Sequence, residues 1–333
     1  MHVRDVISRT GPGPNAGPPG RVAGRAIRIR RGRYAAALSV AALIVTGCSG
    51  GGAPAAAAPK ATADHRSPSP ATTPAASPSA APAAALSPLA SRRLRRYLAG
   101  RAGDVTAALY DASTRQMWLY HPRLREYTAS IVKVEIMGTA LQEAESAGHS
   151  LPPSEAALMP SMIENSDNDS ATALLADVGG PSAVAQFDRS AGLTQTQPST
   201  LAFIPGTSLP GWGLTTTSAL DEVTLVSRFA YPNPVLSDTF RQYGLSLMEN
   251  IESDQSWGVS GGVPPGTVVA LKNGWLPLGP SNWQIDSIGW IAGHGRNYVL
   301  AVLTEDNPTE QYGIDTIETI ASDIYQAEST AGP

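Results

Sequence analysis

The stretch Tyr127–Glu135, YTASIVKVE, places Ser130 three residues before Lys133 at the start of an apolar segment. Lysine is the scarce cation of this chain, because its 24 lysine and arginine residues include only Lys60, Lys133 and Lys272. Arginine serves wherever a permanent positive charge is enough, whereas the lysine amine can lose its proton when it is buried. Lys133 is therefore a candidate for a position that needs a deprotonatable amine.

Residues 130 to about 147 carry apolar side chains at helical spacing, which predicts a helix. Positions three apart are neighbours on a helix, so the hydroxyl and the amine would lie side by side near its N-terminus. The helix dipole favours developing negative charge there. A serine becomes nucleophilic when a base takes its proton, and the apolar neighbours of Lys133 would lower its pKa by desolvation. S-x-x-K also arises by chance, so the motif needs support from elsewhere.

Two later motifs also contain a serine or a lysine that is a candidate for a chemical role. Ser166-Asp167-Asn168 stands just before a helical pattern, although Ser166 or Asp167 would also fit there simply as an N-cap. Lys272 ends an apolar strand pattern and precedes Gly274, a residue type that allows close approach of a ligand to the backbone. The alternative for Lys272 is a lysine that ends a strand and faces water.

The other patterns fall into three groups along the chain. Residues 88 to 101 are predicted to form a helix, and residues 104 to 122 two antiparallel strands around a turn. Residues 153 to 262 are predicted to be mainly helical. Three strand patterns follow at 267–274, 283–293 and 297–304, and an amphipathic helix at about 312 to 328. This order predicts one sheet built from both ends of the folded region, with a helical insert.

The succession S-x-x-K, S-D-N and K-x-G resembles the motif set of the penicillin-recognising serine enzymes, and the chain is most similar to the class A β-lactamases. The resemblance covers about residues 88 to 330 and includes VGGP at 178–181 and TTT at 215–217. It implies an α/β fold with an antiparallel sheet flanked by N- and C-terminal helices, plus an all-helical lobe. The active site would lie between the sheet and the lobe.

The resemblance also implies roles for individual residues. Ser130 would be the acylated nucleophile, Lys133 its proton acceptor, and Ser166 the relay of that proton to the leaving nitrogen. Asn168 would donate a hydrogen bond to the substrate's acyl side chain or contact Lys133. Lys272 would supply a positive field that attracts a substrate carboxylate and assists Ser166.

The strand after Lys272 would complete the binding site. Asn273, Gly274 and Trp275 are expected to line the substrate, and the backbone N–H groups of Ser130 and Trp275 would form the oxyanion hole. Asn273 replaces the threonine usual in this motif, and Trp275 replaces a small residue. The chain also has a shorter interval between Ser130 and Ser166 than typical class A enzymes, so a peripheral segment of the lobe is expected to be missing.

The loop expected to carry the water-activating glutamate, residues 194 to 214, contains no acidic residue. Glu164 and Asp221 are the nearest acids in sequence, but Glu164 is expected to face solvent and Asp221 to belong to a helix. The sequence therefore supports formation of an acyl-enzyme and predicts slow hydrolysis of it.

The N-terminal region predicts export. Residues 1 to 34 contain eight arginines and one acid, and a short apolar run then leads to Cys48, the single cysteine. This layout is typical of a secretory signal, and the run is too short for a transmembrane helix. Val45-Thr46-Gly47-Cys48 resembles a bacterial lipobox, which implies cleavage before Cys48 and lipidation of its thiol. An unmodified cysteine is the alternative, and the arginine pair at 30–31 leaves the twin-arginine route open.

These features divide the chain into a lipoprotein signal at 1–48, a linker at 49–87 and a folded domain at 88–330. The linker consists almost entirely of Ala, Pro, Ser, Thr and Gly, a composition typical of disorder. We expect the domain outside the cytoplasm, anchored to the outer face of the cell membrane through Cys48.

Composition excludes several classes of function. Removing the basic leader from the formal charge of −4 leaves −11 on residues 49–333, so a nucleic-acid partner is not expected. The five histidines show no metal-ligand spacing, and we expect no metal, no cofactor and a monomer. Residues 258–262, GVSGG, match the G-x-S-x-G elbow, but VPPG follows where that motif needs a helix.

The function predicted is that of an active-site serine hydrolase that forms an acyl-enzyme with β-lactams or related acyl substrates. A cell-wall D,D-peptidase or esterase is one alternative. A penicillin-binding protein that stays acylated, or a catalytically silent binding module, is another.

The lipid anchor makes a simple prediction. Cys48→Ala should release the protein from membranes, because the linker contains no other apolar anchor. Fractionation of cells that express the parent and the variant checks this. A variant that sediments with membranes as the parent does would contradict the lipobox interpretation.

Overall fold

The computed structural model describes residues 87–328, which form one α/β unit. Cys48 and nearly all of the predicted linker lie outside the described residues. Five antiparallel strands make the central sheet, in the order β2-β1-β7-β6-β5. The strands are β1 (Asp104–Asp111), β2 (Gln116–Tyr120), β5 (Val268–Gly279), β6 (Asn282–Gly293) and β7 (Arg296–Asn307). Because β1 pairs with β7, both ends of the unit contribute to one sheet, as predicted from the sequence.

Eight helices accompany the sheet in the described residues. They are α1 (Arg92–Leu98), α2 (Val132–Ala147), α3 (Pro153–Glu164), α4 (Asn168–Asp177), α5 (Pro181–Ala191), α6 (Ala219–Ala230), α7 (Asp238–Glu249) and α8 (Glu310–Ala327). The predicted fold class is confirmed, and so is the helical insert between the first two and the last three strands of the sheet. None of these helices combines the length and the apolar character needed to cross a bilayer.

The sheet is buried on both faces, which explains why β7 is an almost unbroken apolar run. One set of its residues packs with α1 and α8: Tyr298, Leu300 and Val302. The alternate set packs with α2 and α6: Val299, Ala301 and Leu303. The period of two along a strand therefore places the sheet as the middle layer between two layers of helices.

A second, two-stranded sheet fixes the segment that leads into α2. Its strands are β3 (Glu126–Tyr127) and β4 (Thr216–Thr217). Directly after β3, the backbone N–H of Thr128 donates to the carbonyl of Thr215 at 2.8 Å. This pairing joins the start of α2 to the end of the loop before α6, two regions far apart in sequence.

Buried carboxyl groups are a second feature of the interior. Burial, the largest cause in each case, raises the pKa of Glu222 to about 8, that of Glu126 to about 10 and that of Asp188 to about 7. Glu135 and Asp286 are fully buried, and desolvation holds the pKa of each well above its usual range. These groups therefore stay protonated in the folded state at pH values where unfolded carboxyl groups have ionised.

The raised pKa values predict how stability depends on pH. The folded state keeps protons that the unfolded chain releases above about pH 4.5, so the free energy of unfolding should fall as pH rises from there towards about pH 8. We expect a higher midpoint of thermal unfolding at about pH 5 than at about pH 8. Calorimetry at the two pH values checks this.

Two variants test the cause of that shift. Glu222→Gln should narrow the difference between the two midpoints, since an amide does not ionise, whereas Asp254→Asn at an exposed position should leave it unchanged. A midpoint that rises with pH in the parent protein would show that the buried carboxyl groups ionise without cost.

Candidate active site

Ser130 lies in a single 3-10 turn, Ala129–Ile131, that leads directly into α2. The preceding residue, Ala129, has a φ of 43°, a left-handed conformation that a residue with a side chain adopts at a cost of about 1–3 kcal/mol. Ser130 itself is 9% exposed. The strained turn thus presents a nearly buried hydroxyl at the start of a long helix.

Lys133 lies in the first turn of α2 and is completely buried. Its Nζ is 3.1 Å from Ser130 Oγ, 3.0 Å from Ser166 Oγ and 2.9 Å from Asn168 Oδ1, and it also donates to the Ser166 carbonyl oxygen at 2.5 Å. Desolvation lowers the pKa of Lys133 to about 7, although the charge of Asp167 opposes the shift. A substantial fraction of this amine is therefore neutral near pH 7.

Ser166 lies at the junction between α3 and α4, where the chain turns sharply. Its φ of 56° is again in the left-handed region. Asp167 is the N-cap of α4, because its Oδ1 accepts from the N–H of Ser170 at 2.7 Å. Since Asp167 provides the cap, the Ser166 side chain is left to contact the lysines, and the N-cap alternative for Ser166 is excluded.

Lys272 lies in the middle of β5 and is also completely buried. Its Nζ donates to Ser166 Oγ at 2.9 Å and to the carbonyl of Asn273 at 3.0 Å. Desolvation holds its pKa well below the usual range, and the nearby Lys133 adds to the effect. The alternative of a lysine that ends a strand in water is therefore wrong.

The Ser166 hydroxyl thus lies between two buried amines, at 3.0 Å and 2.9 Å. Two adjacent ammonium groups repel each other and are poorly solvated here, so the site favours a state in which one amine is neutral. A neutral amine accepts a hydrogen bond, and the Ser166 hydroxyl then donates to it. The four groups Ser130, Lys133, Ser166 and Lys272 form a continuous path for a proton.

Gly274 brings β5 against the nucleophile. A Cβ at this position would lie 2.7 Å from the carbonyl oxygen of Thr128 and 3.0 Å from the backbone nitrogen of Ser130. Only glycine allows the strand to pass this close. The next residue along β5 is Trp275, so the two N–H groups predicted for the oxyanion hole belong to segments in contact.

Asn273 is placed differently from the expectation. Its side chain is completely buried, and Nδ2 donates to the carbonyl oxygens of Gln255 and Trp257 at 2.7 and 2.9 Å. It therefore holds the loop before β5 and does not border the cavity described next. Asn168 Oδ1 accepts a hydrogen bond from Lys133, and its contact with a substrate side chain stays a prediction.

A cavity of about 290 Å³ opens above these groups. Its lining includes four of the predicted site residues: Ser130, Ser166, Asn168 and Trp275. The other lining residues are Ala129, Ile204, Leu209, Pro210, Trp212, Gly213, Leu276, Pro277, Trp283 and Glu310. Lys133, Lys272, Asn273 and Gly274 lie behind this surface.

The acid-free loop forms one wall of the cavity, through Ile204, Leu209 and Pro210 among others. Trp212 fixes the end of this wall to α4, since its Nε1 donates to Thr172 Oγ1 at 3.1 Å. Asp221 is buried and holds the loop's first residues, because its Oδ2 accepts from the N–H of Gln195 at 2.6 Å. Neither Asp221 nor Glu164 borders the cavity.

Sequence reasoning missed four residues of the lining: Leu276, Pro277, Trp283 and Glu310. Trp283 is the second residue of β6 and Glu310 the first of α8, so both stand near an element boundary where nothing in the local pattern distinguishes them. The rival serine, Ser260, lies in a turn with no helix after it, and its Oγ donates to the Ser256 carbonyl. No cluster of three or more potential metal ligands occurs among residues 87–328.

The chain belongs to the β-lactamase enzyme family, since the sequence model of that family matches residues 153–327. This match includes Ser166 and Lys272 and begins after Ser130 and Lys133. The family and the fold are those of serine hydrolases. A comparison with curated protein sequences found no match.

Solved structures of class A β-lactamases share the fold. An ancestral class A β-lactamase is 19% identical with a TM-score of 0.61, covering 71% of this chain and 98% of its own. The TLA-1 extended-spectrum β-lactamase is 19% identical with a TM-score of 0.62, covering 70% and 95%. A class A β-lactamase from Bacteroides cellulosilyticus is 16% identical with a TM-score of 0.63, covering 72% and 96%. At these identities the likeness establishes the fold.

The hydrogen bond between Lys133 and Ser130 generates a prediction. Ser130→Ala should abolish covalent labelling by a fluorescent penicillin. Lys133→Arg should slow labelling by about 10²–10⁴-fold although it keeps the charge, because arginine cannot accept the proton. Lys60→Arg in the predicted linker is the matched control and should label as the parent does. Unchanged labelling of Lys133→Arg would contradict a base role for Lys133.

The pH dependence of labelling follows from the same amine. Only the neutral form of Lys133 accepts a proton, so the acylation rate should rise with pH, pass its half-maximum near the pKa of about 7 and then level off. Stopped-flow labelling between about pH 5 and pH 9 checks this profile. A rate that does not vary across this range would show that Lys133 is not the group that is deprotonated.

Proposed function

We propose that Ser130 is acylated by a β-lactam or a related activated acyl compound, with Lys133 as the general base. The Ser130 oxygen forms a bond to the carbonyl carbon while its proton passes to the neutral Lys133 amine. The observation that carries this proposal is the position of Lys133 Nζ, 3.1 Å from Ser130 Oγ and 3.0 Å from Ser166 Oγ.

Collapse of the tetrahedral intermediate breaks the bond from the carbonyl carbon to the leaving nitrogen or oxygen. The leaving atom takes the proton of Ser166, which receives the proton held by Lys133 in exchange. Lys272 stabilises the Ser166 oxygen during this transfer through its 2.9 Å contact. The proton of Ser130 thus reaches the leaving group without passing through water.

The carbonyl oxygen becomes negatively charged during the addition. We propose that the backbone N–H groups of Ser130 and Trp275 donate to it, supported by the close approach of β5 at Gly274. Ser130 lies at the start of α2, so the helix dipole also stabilises the negative charge that develops on this oxygen.

Hydrolysis of the acyl-enzyme needs a base that activates water. The wall formed by residues 194–214 offers no carboxylate, and Asp221 accepts a hydrogen bond from Gln195. The one carboxyl group of the lining, Glu310, comes from α8 and not from the loop that carries the glutamate in class A enzymes. We therefore propose that deacylation is the slow step. This observation also favours the second candidate function, a penicillin-binding protein that holds its acyl group, over a fast β-lactamase.

The proposed location rests on the sequence pattern alone. We propose that the domain acts outside the cytoplasm at the cell membrane, held by lipidated Cys48, which lies outside the described residues. Acyl compounds of the cell wall, the substrates of a D,D-peptidase or esterase, would be accessible there.

Slow deacylation predicts a kinetic burst. Rapid mixing with a chromogenic cephalosporin should release about one equivalent of product, followed by a steady rate lower by about 10²–10⁴-fold, the usual contribution of a general base. The amplitude of the fast phase should scale with the enzyme concentration, and Ser130→Ala should show no burst.

Steady turnover at the acylation rate without a burst would mean that another residue activates water. Labelling by a fluorescent penicillin separates the remaining possibilities. A label that clears indicates a hydrolase, one that persists indicates a penicillin-binding trap, and absence of label from every acyl probe would contradict the proposed function.

A further inference from the structure

One corner of the cavity is formed by Trp275, Trp283 and Glu310, which we term the acidic corner. Trp275 comes from β5 and Trp283 from the start of β6. Asn307, at the end of β7, donates from Nδ2 to the carbonyl of Trp283 at 2.9 Å. Because Glu310 follows Asn307 by three residues, this bond positions the start of α8 beside Trp283.

Glu310 is the only charged residue among the fourteen that line this cavity. Its side chain is half-buried, and within residues 87–328 no hydrogen bond or ion pair engages it. Lys133 and Lys272 contact the lining residue Ser166, but both are 0% exposed and neither lines the cavity. A ligand in the cavity therefore meets a free carboxylate and no exposed cation.

The rest of the lining fits an apolar ligand. Both indoles of the acidic corner are half-buried and leave surface open to the cavity. Other parts of the lining carry aliphatic groups such as Ile204, Leu209 and Leu276. The Lys272 Nζ lies 5.9 Å from the ring centroid of Trp275, so an organic ammonium ion would be attracted mainly by the indole of Trp283 and the negative charge of Glu310.

We propose that the acidic corner makes Glu310 a specificity-determining residue that selects an apolar acyl substrate with an ammonium group, and that disfavours a carboxylate there. This inference rests on the proposed acylation of Ser130. The attraction of a substrate carboxylate expected from Lys272 would act only through its field, because its amine is enclosed behind the cavity surface.

A series of three activated nitrophenyl esters of matched shape tests the inference. The acyl chain ends in a trimethylammonium group, in the neutral and nearly isosteric tert-butyl group, or in a carboxylate. In each case Ser130 gains the acyl group and nitrophenol leaves with the transferred proton, so one absorbance change reports all three reactions.

The rate constant of the burst should follow the order ammonium, tert-butyl, carboxylate. We expect about a tenfold preference for the ammonium ester over the tert-butyl ester, the scale of one partly desolvated cation–π and charge contact. Glu310→Gln should lower this ratio several-fold. Asp315→Asn removes an exposed carboxylate from the same helix, and should leave the ratio as in the parent protein.

Three outcomes would overturn the inference, and they are distinguishable. Bursts with equal rate constants for all three esters, or fastest with the carboxylate, would exclude selection by Glu310 and leave acylation of Ser130 intact. A Glu310→Gln variant whose slow steady rate falls equally for all esters would assign Glu310 to deacylation. No burst with any ester, and no acyl mass on Ser130, would remove the proposed function itself. The melting temperature of each variant confirms that it is folded.

Discussion

The site depends on one interaction, in which two buried lysine amines share the hydroxyl of Ser166. Lys133 and Lys272 are both completely enclosed, and their Nζ atoms lie 3.0 Å and 2.9 Å from the same oxygen. Two ammonium ions this close in a poorly solvated site are unfavourable, so the site favours releasing a proton from one of them. Desolvation of Lys133 itself lowers its pKa to about 7, which makes a neutral amine available beside Ser130 near neutral pH.

The rest of the fold keeps that arrangement in place. The strained turn at Ala129 and the start of α2 position Ser130 and Lys133, while the left-handed conformation of Ser166 directs its side chain inwards. Lys272 comes from β5 of the sheet, and Gly274 allows this strand to lie directly beside Ser130. Three segments distant in sequence therefore meet at one hydroxyl, and the cost of two strained residues is offset by packing around them.

Local patterns in the sequence were enough to predict the helical regions and the sheet. They also predicted the contact between Ser130 and Lys133, because that contact needs only helical spacing. Ser166 and Lys272 came from a resemblance to a family, because nothing local brings a loop and a strand to that helix. Two features were not predicted. The Asn273 side chain donates to the backbone carbonyls of Gln255 and Trp257, and Glu310 lines the same cavity as Trp283. Both depend on contacts between elements distant in sequence, for which the surrounding residues carry no signal.

The most direct test of this account is a titration of the lysine amines by NMR. The chain has only three lysines, so protein labelled with ¹³C at lysine Cε gives three signals, which Lys133→Arg and Lys272→Arg assign. We expect the Lys133 signal to titrate near pH 7 and the Lys272 signal to titrate well below the ordinary lysine value of 10.5. Titration of both amines near 10.5 would contradict this account, because neither lysine would then be available as the base that activates Ser130.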